Sequence, residues 1–104
     1  MAGFQIAVVG ATGAVGQVFL SMIEERRFPI SRLWVCASER SIGRNLVVNG
    51  RDHLVELVTD EVLGGADFVF VSATTEVSRE VCRRAAELGA VAIDDSSAFR
   101  MDPD

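Results

Sequence analysis

The sequence IAVVGATGAVG, residues 6–16, decides the fold of this chain. Its first four residues are apolar and predict a short buried strand, which Gly10 ends. Glycine returns at positions 13 and 16, and from residue 13 onward the apolar residues repeat with a helical period. A strand, a glycine-rich turn and a helix in this order are typical of a dinucleotide-binding domain.

The three glycines of this turn have separate expected roles. A pyrophosphate needs main-chain N–H donors that no Cβ obstructs, and it is favoured by the positive end of a helix dipole. Gly10 allows the tight turn, Gly13 allows the phosphates to approach, and Gly16 lets the helix pack against the strand. We therefore predict dinucleotide binding here; the alternative is a turn that only connects two elements.

Strand and helix patterns alternate along the rest of the chain. Apolar residues at Val15, Phe19, Met22 and Ile23 predict the inward face of a first helix, which we expect to end near Arg27. Further strands are expected at residues 33–37, 67–71 and 90–93, and a break is expected at Gly64 and Gly65. Residues 45–48 and 53–58 are expected to form a hairpin that turns at Asn49 and Gly50. A second helix is expected to end at Gly89, and its inward residues are Val77, Val81, Cys82, Ala85 and Leu88.

This alternation predicts an α/β fold, Rossmann-like, with a mostly parallel sheet and flanking helices. The length of 104 residues suits one domain. The chain stops just after a polar turn, so we expect residues 1–104 to be a truncated dinucleotide-binding domain whose open sheet edge makes it fold poorly alone.

The composition excludes several classes of function. The net charge is −5, which opposes binding to nucleic acid or to an anionic membrane. All 10 basic residues are arginine, so no lysine is available as a nucleophile. The start of the chain has no basic leader and no long apolar run, which predicts a cytoplasmic protein.

The cysteines and the single histidine do not suggest a catalytic or metal site. Cys36 and Cys82 lie far apart in apolar patterns, so we expect inert core thiols and no metal ligands. His53 falls in a polar hairpin segment and is expected to be an exposed loop residue. Asp94 and Asp95 are adjacent on an extended segment and point to opposite sides, so they do not form a carboxylate pair.

The end of the second strand indicates which dinucleotide is bound. Many NAD-binding domains have a carboxylate there for the ribose 2′-hydroxyl. This chain instead has Ser38, Arg40 and Ser41, which can hold a 2′-phosphate and therefore favour NADP. Glu39 must then point away from the ribose. The alternative is a polar loop with a solvated Arg40.

Three segments together resemble one family of enzymes. Residues 6–16 (IAVVGATGAVG), 37–43 (ASERSIG) and 94–104 (DDSSAFRMDPD) are similar to successive signatures of aspartate-semialdehyde dehydrogenase. The third segment is the most specific, because glycine-rich turns are shared by many dehydrogenases. The resemblance implies an NADP-dependent enzyme that converts L-4-aspartyl phosphate to L-aspartate 4-semialdehyde, on the biosynthetic route to lysine, methionine and threonine.

The resemblance also implies the roles of individual residues. Two positions depart from the family pattern, because Thr74-Thr75 stands where glycines are common and Asp95 stands where asparagine is common. Arg100 would bind the phosphoryl group of the substrate through its planar guanidinium, the alternative being a surface ion pair with a nearby aspartate. The cofactor residues implied are Gly10, Thr12, Gly13, Ala14, Val15 and Gly16 at the phosphates, Ser38, Arg40 and Ser41 at the 2′-phosphate end, and Ser72, Ala73 and Thr74 towards the nicotinamide.

The family's reaction requires groups that this chain does not contain. A cysteine thiolate forms the thioester that accepts hydride, and a histidine transfers the proton. By the resemblance, both lie beyond residue 104, so we expect no catalytic residue and no turnover from this chain alone. The full-length protein is expected to be a homodimer or homotetramer that acts on small molecules.

Two other classes of function remain open from the sequence. One is a fragment of a related enzyme, either N-acetyl-γ-glutamyl-phosphate reductase, which shares the chemistry, or an epimerase or short-chain reductase, which can also begin with GATG. The other is a non-catalytic NADP-binding module that senses redox state. Sequence beyond residue 104 would separate these possibilities.

Overall fold

The computed structural model describes residues 3–94. The Rossmann-like α/β prediction is confirmed, because four strands form one parallel sheet in the spatial order Ile30–Cys36, Phe4–Val9, Phe68–Val71 and Val91–Asp94, and the helices lie on its two faces. The elements in chain order are β1 (Phe4–Val9), α1 (Ala14–Glu25), β2 (Ile30–Cys36), a short 3₁₀ turn (Glu39–Ser41), β3 (Asn45–Val48), β4 (Arg51–Leu54), α2 (Asp60–Gly65), β5 (Phe68–Val71), α3 (Thr75–Glu87) and β6 (Val91–Asp94).

Strand β1 is central and contributes to the core on both faces of the sheet. Ala7 and Val9 pack on the face that α2 and α3 cover. Ile6 and Val8 pack on the opposite face, with Leu20 of α1 and with residues of the β3–β4 hairpin. Because successive side chains alternate between two buried faces, residues 6–9 of the strand form a continuous apolar run, as the sequence indicated.

The first helix was predicted correctly as an element, and its inward face was predicted in part, since Ile23 is buried and Phe19 packs half-buried against the core. Gly16, Leu20 and Ile23 are its buried residues, whereas Val15 and Met22 are exposed. The small Gly16 lets α1 approach the glycine-rich turn, because a Cβ there would lie 2.2 Å from Gly10 O. Helix α1 also ends at Glu25, before Arg27.

The inward face of α3 needs a similar correction. Val81 and Ala85 are buried as expected, but Val77 and Leu88 are exposed and Cys82 is half-buried. Ser78 is buried instead, and its hydroxyl donates a hydrogen bond to the carbonyl oxygen of Ala73 at 3.3 Å. A serine that satisfies its own hydroxyl can replace an apolar residue on the buried face, which an apolar pattern does not reveal.

Helix α2 was not predicted from the sequence; it ends at Gly64 and Gly65, the expected break before β5. The helix is favoured by Thr59 at its N-cap, whose Oγ1 accepts a hydrogen bond from Val62 N at 3.2 Å. A Cβ at Gly65 would lie 3.3 Å from the Trp34 ring, so this glycine lets the helix approach β2. Glycine is tolerated at the end of a short helix for this reason.

The hairpin is present, with a shorter second strand than predicted. Asn49 and Gly50 both have positive φ, of 55° and 77°, as a tight turn requires. Strand β4 ends at Leu54 because the following residues leave the hairpin, and Glu56 bridges to Cys36 of β2. His53 therefore lies half-buried within β4 and not in an exposed loop, as we had expected.

Candidate dinucleotide-binding site

The glycine-rich turn leaves β1 at the carboxyl end of the sheet, where ligands of open α/β folds bind. Gly10 has a φ of +88°, which the left-handed turn requires. The N–H groups of Gly10 and Ala11 both donate to the carbonyl oxygen of Cys36, at 2.8 and 3.0 Å. The N–H of Gly13 donates back to Gly10 O at 3.1 Å. The turn is therefore fixed to the end of the neighbouring strand β2.

The surroundings of the three glycines separate their roles. A Cβ at Gly10 would lie 1.9 Å from the carbonyl oxygen of Ser72, and one at Gly16 would lie 2.2 Å from that of Gly10. Both positions are closed by the protein's own backbone. A Cβ at Gly13 would meet only Gly10 O, at 3.4 Å. Gly13 therefore faces open space, where a ligand can approach.

The start of α1 is suited to an anion. Gly13 is its N-cap residue, and no side chain caps the helix there. The first turn of the helix contains no acidic residue. Gly13, Ala14 and Val15 are all exposed. The positive end of the helix dipole thus lies at an exposed surface, and the first turn holds no carboxylate that would compete with a phosphate.

The segment after β2 reaches the glycine-rich turn. Ser41, in the 3₁₀ turn, is 9% exposed, and its Oγ lies 3.2 Å from the Oγ1 of Thr12. Ser38, Glu39 and Arg40 are exposed on the outer side of this segment. The structure therefore brings the two predicted cofactor segments together through Thr12 and Ser41.

A third segment meets the turn after β5. The N–H of Ser72 donates to the carbonyl oxygen of Val9 at 2.9 Å, which holds this segment beside the glycine-rich turn. Thr74 is the N-cap of α3, and its Oγ1 accepts a hydrogen bond from Val77 N at 3.4 Å. Thr75 is the first residue of that helix. The two threonines that replace the family's glycines thus begin a helix.

One residue of this site was missed by the sequence reasoning. Gln17 lies on the exposed side of α1, and its Nε2 donates to the carbonyl oxygen of Thr12 at 2.9 Å. A glutamine on an exposed helix face gives no signal in a hydrophobic pattern. The one sequence feature that could have indicated a role is its position directly after the glycine motif, in the first turn of the helix.

The cysteines are protonated and therefore poor nucleophiles. Burial, together with the nearby Glu56 carboxylate, raises the pKa of Cys36 to about 12. Burial and Asp94 also raise the pKa of Cys82. A thiol reacts as its thiolate, so the raised pKa disfavours both residues as nucleophiles near neutral pH.

Some predictions fall outside the part of the chain that the structure describes. Arg100 and Asp95 lie beyond residue 94, so their roles remain predictions. Within residues 3–94, no cluster of histidine, cysteine and carboxylate residues could hold a metal ion. None of the helices in the same range is long and apolar enough to cross a membrane.

Known proteins with a similar sequence support the resemblance. Aspartate-semialdehyde dehydrogenase of Aquifex aeolicus is 45% identical over 103 residues, which are 98% of this chain and 30% of that protein. The enzyme of the same name from Bacillus subtilis is 40% identical over 100 residues, 96% of this chain and 29% of that protein. This chain thus spans about 30% of the length of the curated relatives it matches.

Solved structures agree with the sequence comparison. Aspartate semialdehyde dehydrogenase II of Vibrio cholerae, solved in complex with ASA, is 39% identical and superimposes with a TM-score of 0.84 over 89% of this chain and 30% of that one. The Candida albicans enzyme, solved with NADP, shares the fold at 22% identity and a TM-score of 0.73, over 99% of this chain and 32% of that one. The family model for the semialdehyde dehydrogenase NAD binding domain matches residues 5–104, so the chain belongs to this family.

Proposed function

We propose that this chain is the N-terminal, NADP-binding part of an aspartate-semialdehyde dehydrogenase. The observation that carries the proposal is the meeting of three segments, after β1, β2 and β5, at the carboxyl end of the parallel sheet around Gly10. Relatives at 40–45% identity that are named aspartate-semialdehyde dehydrogenase support the same function. N-acetyl-γ-glutamyl-phosphate reductase and a non-catalytic module have no comparable support.

The geometry supports a division of the cofactor among the three segments. Residues 13–15 are exposed at the start of α1 and, together with Thr12, would bind the pyrophosphate. Ser38 and Arg40 are exposed at the end of β2, where a guanidinium can meet the 2′-phosphate. Residues 72–74, which lead from β5 into α3, would lie towards the nicotinamide.

Catalysis by the full-length enzyme requires residues outside this chain. Both cysteines in the chain are protonated and lie in or against the core. The 104-residue chain is therefore proposed to bind NADP without reducing aspartyl phosphate. Arg100 is proposed to bind the phosphoryl group of the substrate in the complete active site. For the full-length enzyme we propose a homodimer or homotetramer in the cytoplasm.

The preference for NADP is tested with Arg40→Ala. Loss of a charge-assisted contact to the 2′-phosphate is expected to weaken NADP binding by about tenfold and to leave NAD binding unchanged. Isothermal titration calorimetry measures both affinities. Arg51→Ala, which removes another exposed arginine, from the hairpin, is the control and is expected to change the affinity for neither cofactor. Unchanged NADP affinity in Arg40→Ala would remove this residue from the site.

A further inference from the structure

Thr12 is held from two directions by residues of different elements. Gln17, on α1, donates from Nε2 to the main-chain carbonyl oxygen of Thr12 at 2.9 Å. Ser41, in the 3₁₀ turn, lies with its Oγ 3.2 Å from the Thr12 Oγ1. The middle of the glycine-rich turn is therefore connected to the helix that follows it and to the segment after β2.

Ser41 is a well-fixed anchor for this contact. Its N–H donates to Ser38 O at 2.9 Å, and its carbonyl oxygen accepts from Arg44 N at 3.1 Å. The residue is 9% exposed, so solvent competes little for its hydroxyl. A side chain that is buried and bonded to Thr12 is placed to fix the separation of the two turns.

We propose that Gln17 and Ser41 are positioning residues that hold the glycine-rich turn in the shape that receives the cofactor pyrophosphate. Glycine-rich segments have the most conformational freedom to lose on ordering, so each hydrogen bond that fixes such a turn before binding lowers the cost of binding. The Thr12–Ser41 bond also couples the pyrophosphate turn to the segment that faces the 2′-phosphate. This inference rests on the proposed function.

A positioning role for Ser41 differs measurably from a role as a 2′-phosphate ligand. NAD has the same pyrophosphate as NADP but no 2′-phosphate. A residue that only contacts the 2′-phosphate affects NADP and leaves NAD unchanged. A residue that shapes the glycine-rich turn affects both, because both cofactors place their pyrophosphate on it.

The experiment measures the affinities of the Ser41→Ala variant of the 104-residue chain for NADP and for NAD. Protein-observed NMR titration is suitable, because it detects binding down to millimolar affinities. We expect both affinities to fall by about fivefold, the size of one lost hydrogen bond. The effect on NAD should disappear when Thr12→Val is already present, because the partner hydroxyl is then absent. A fall for NADP alone would overturn the proposal, and so would equal losses with and without Thr12→Val.

Gln17→Met provides a second test that does not disturb the core, because Gln17 is exposed on α1. The substitution removes the hydrogen-bond donor and keeps the length of the side chain. It is expected to weaken the binding of both cofactors by about threefold. Ser21→Ala, one turn further along the same exposed helix surface, is the matched control and should change neither affinity. Wild-type affinities in Gln17→Met would contradict a role for Gln17. A wild-type chain that is folded and binds neither cofactor would instead refute the proposed function.

Discussion

At the scale of single residues, the three glycines of the turn differ in what their substitution would disturb. The backbone closes around Gly10 and Gly16, whereas Gly13 faces open space. The sequence could predict separate roles from the spacing of the glycines. It could not predict the contacts of Gln17 and Ser41 with Thr12, since these depend on how α1 and the 3₁₀ turn are placed in space.

Gly16→Ala and Gly13→Ala are therefore expected to differ in stability. The new Cβ at position 16 would lie 2.2 Å from Gly10 O and 2.9 Å from the Ala11 Cα, so the helix must move away from the turn. We expect a loss of about 2 kcal/mol in the free energy of unfolding, since overpacking outweighs the better helix propensity of alanine. Gly13 has a φ of −77°, which alanine adopts without strain, so Gly13→Ala should cost less than about 1 kcal/mol, the difference between glycine and alanine at an N-cap.

Urea denaturation followed by circular dichroism measures this difference. Gly43→Ala is a useful control, because its φ is +89° but a Cβ there would meet nothing within 4 Å. It isolates the cost of the backbone conformation from the cost of a clash. Equal stabilities for Gly13→Ala and Gly16→Ala would show that the close approach of α1 to the turn is described wrongly.

At the scale of secondary-structure elements, the strands and helices α1 and α3 were predicted, whereas α2 was missed and the inward faces of the helices were only partly correct. The apolar period located α1 and α3 correctly. It also assigned apolar residues such as Met22 and Val77 to the inward faces, although these residues are exposed. The residues that are buried in their helices include Gly16, which is small enough for close packing, and Ser78, whose hydroxyl is satisfied by a hydrogen bond. Neither property appears in an apolar pattern.

Thr74 is expected to stabilise α3 as its N-cap. Its Oγ1 accepts the Val77 N–H, so Thr74→Ala should lower the free energy of unfolding by about 1 kcal/mol. Thr74→Ser keeps the acceptor and should stay near wild type, and Thr74→Gly should cost only a few tenths of a kcal/mol. Denaturant titrations of the three variants test this order. If alanine and serine were equally stable, the cap would contribute nothing.

At the scale of the whole molecule, an apolar cleft lies open on the α1 face of the sheet within the described residues. Phe19 of α1 stacks on Phe70 of β5, with ring centroids 3.9 Å apart. Next to them lies a cleft of about 250 Å³ with an apolar lining and one arginine at its edge. The residues that line it are Ile6, Phe19, Met22, Ile23, Arg26, Phe28, Phe68, Phe70 and Ile93.

The topology explains why this cleft stays open. Helices α2 and α3 lie on the other face of the sheet. A right-handed crossover from β6 to a further strand on its outer side would place its helix on the α3 face as well. Covering the cleft therefore needs a different segment, and an uncovered apolar surface of this kind promotes association.

We expect the 104-residue chain to bind the dye ANS at this cleft and to self-associate as its concentration rises. Ile93→Thr, in β6, should reduce both the dye fluorescence and the association, because Ile93 is 45% exposed at the cleft. Val47→Thr is the control, since Val47 is 61% exposed on the hairpin, away from the cleft. Dye titration and sedimentation velocity provide the readouts. Equal effects of the two substitutions would show that the surface responsible for dye binding and association lies elsewhere.

The central claim concerns the whole chain, and calorimetric titration with NADP tests it most directly. A sample shown to be folded by circular dichroism should release or absorb heat on binding. Gly13→Ala should bind far more weakly, because its new Cβ occupies the open side of the turn where the pyrophosphate approaches. No heat with either nicotinamide coenzyme, or an unchanged affinity in folded Gly13→Ala, would contradict binding at the glycine-rich turn.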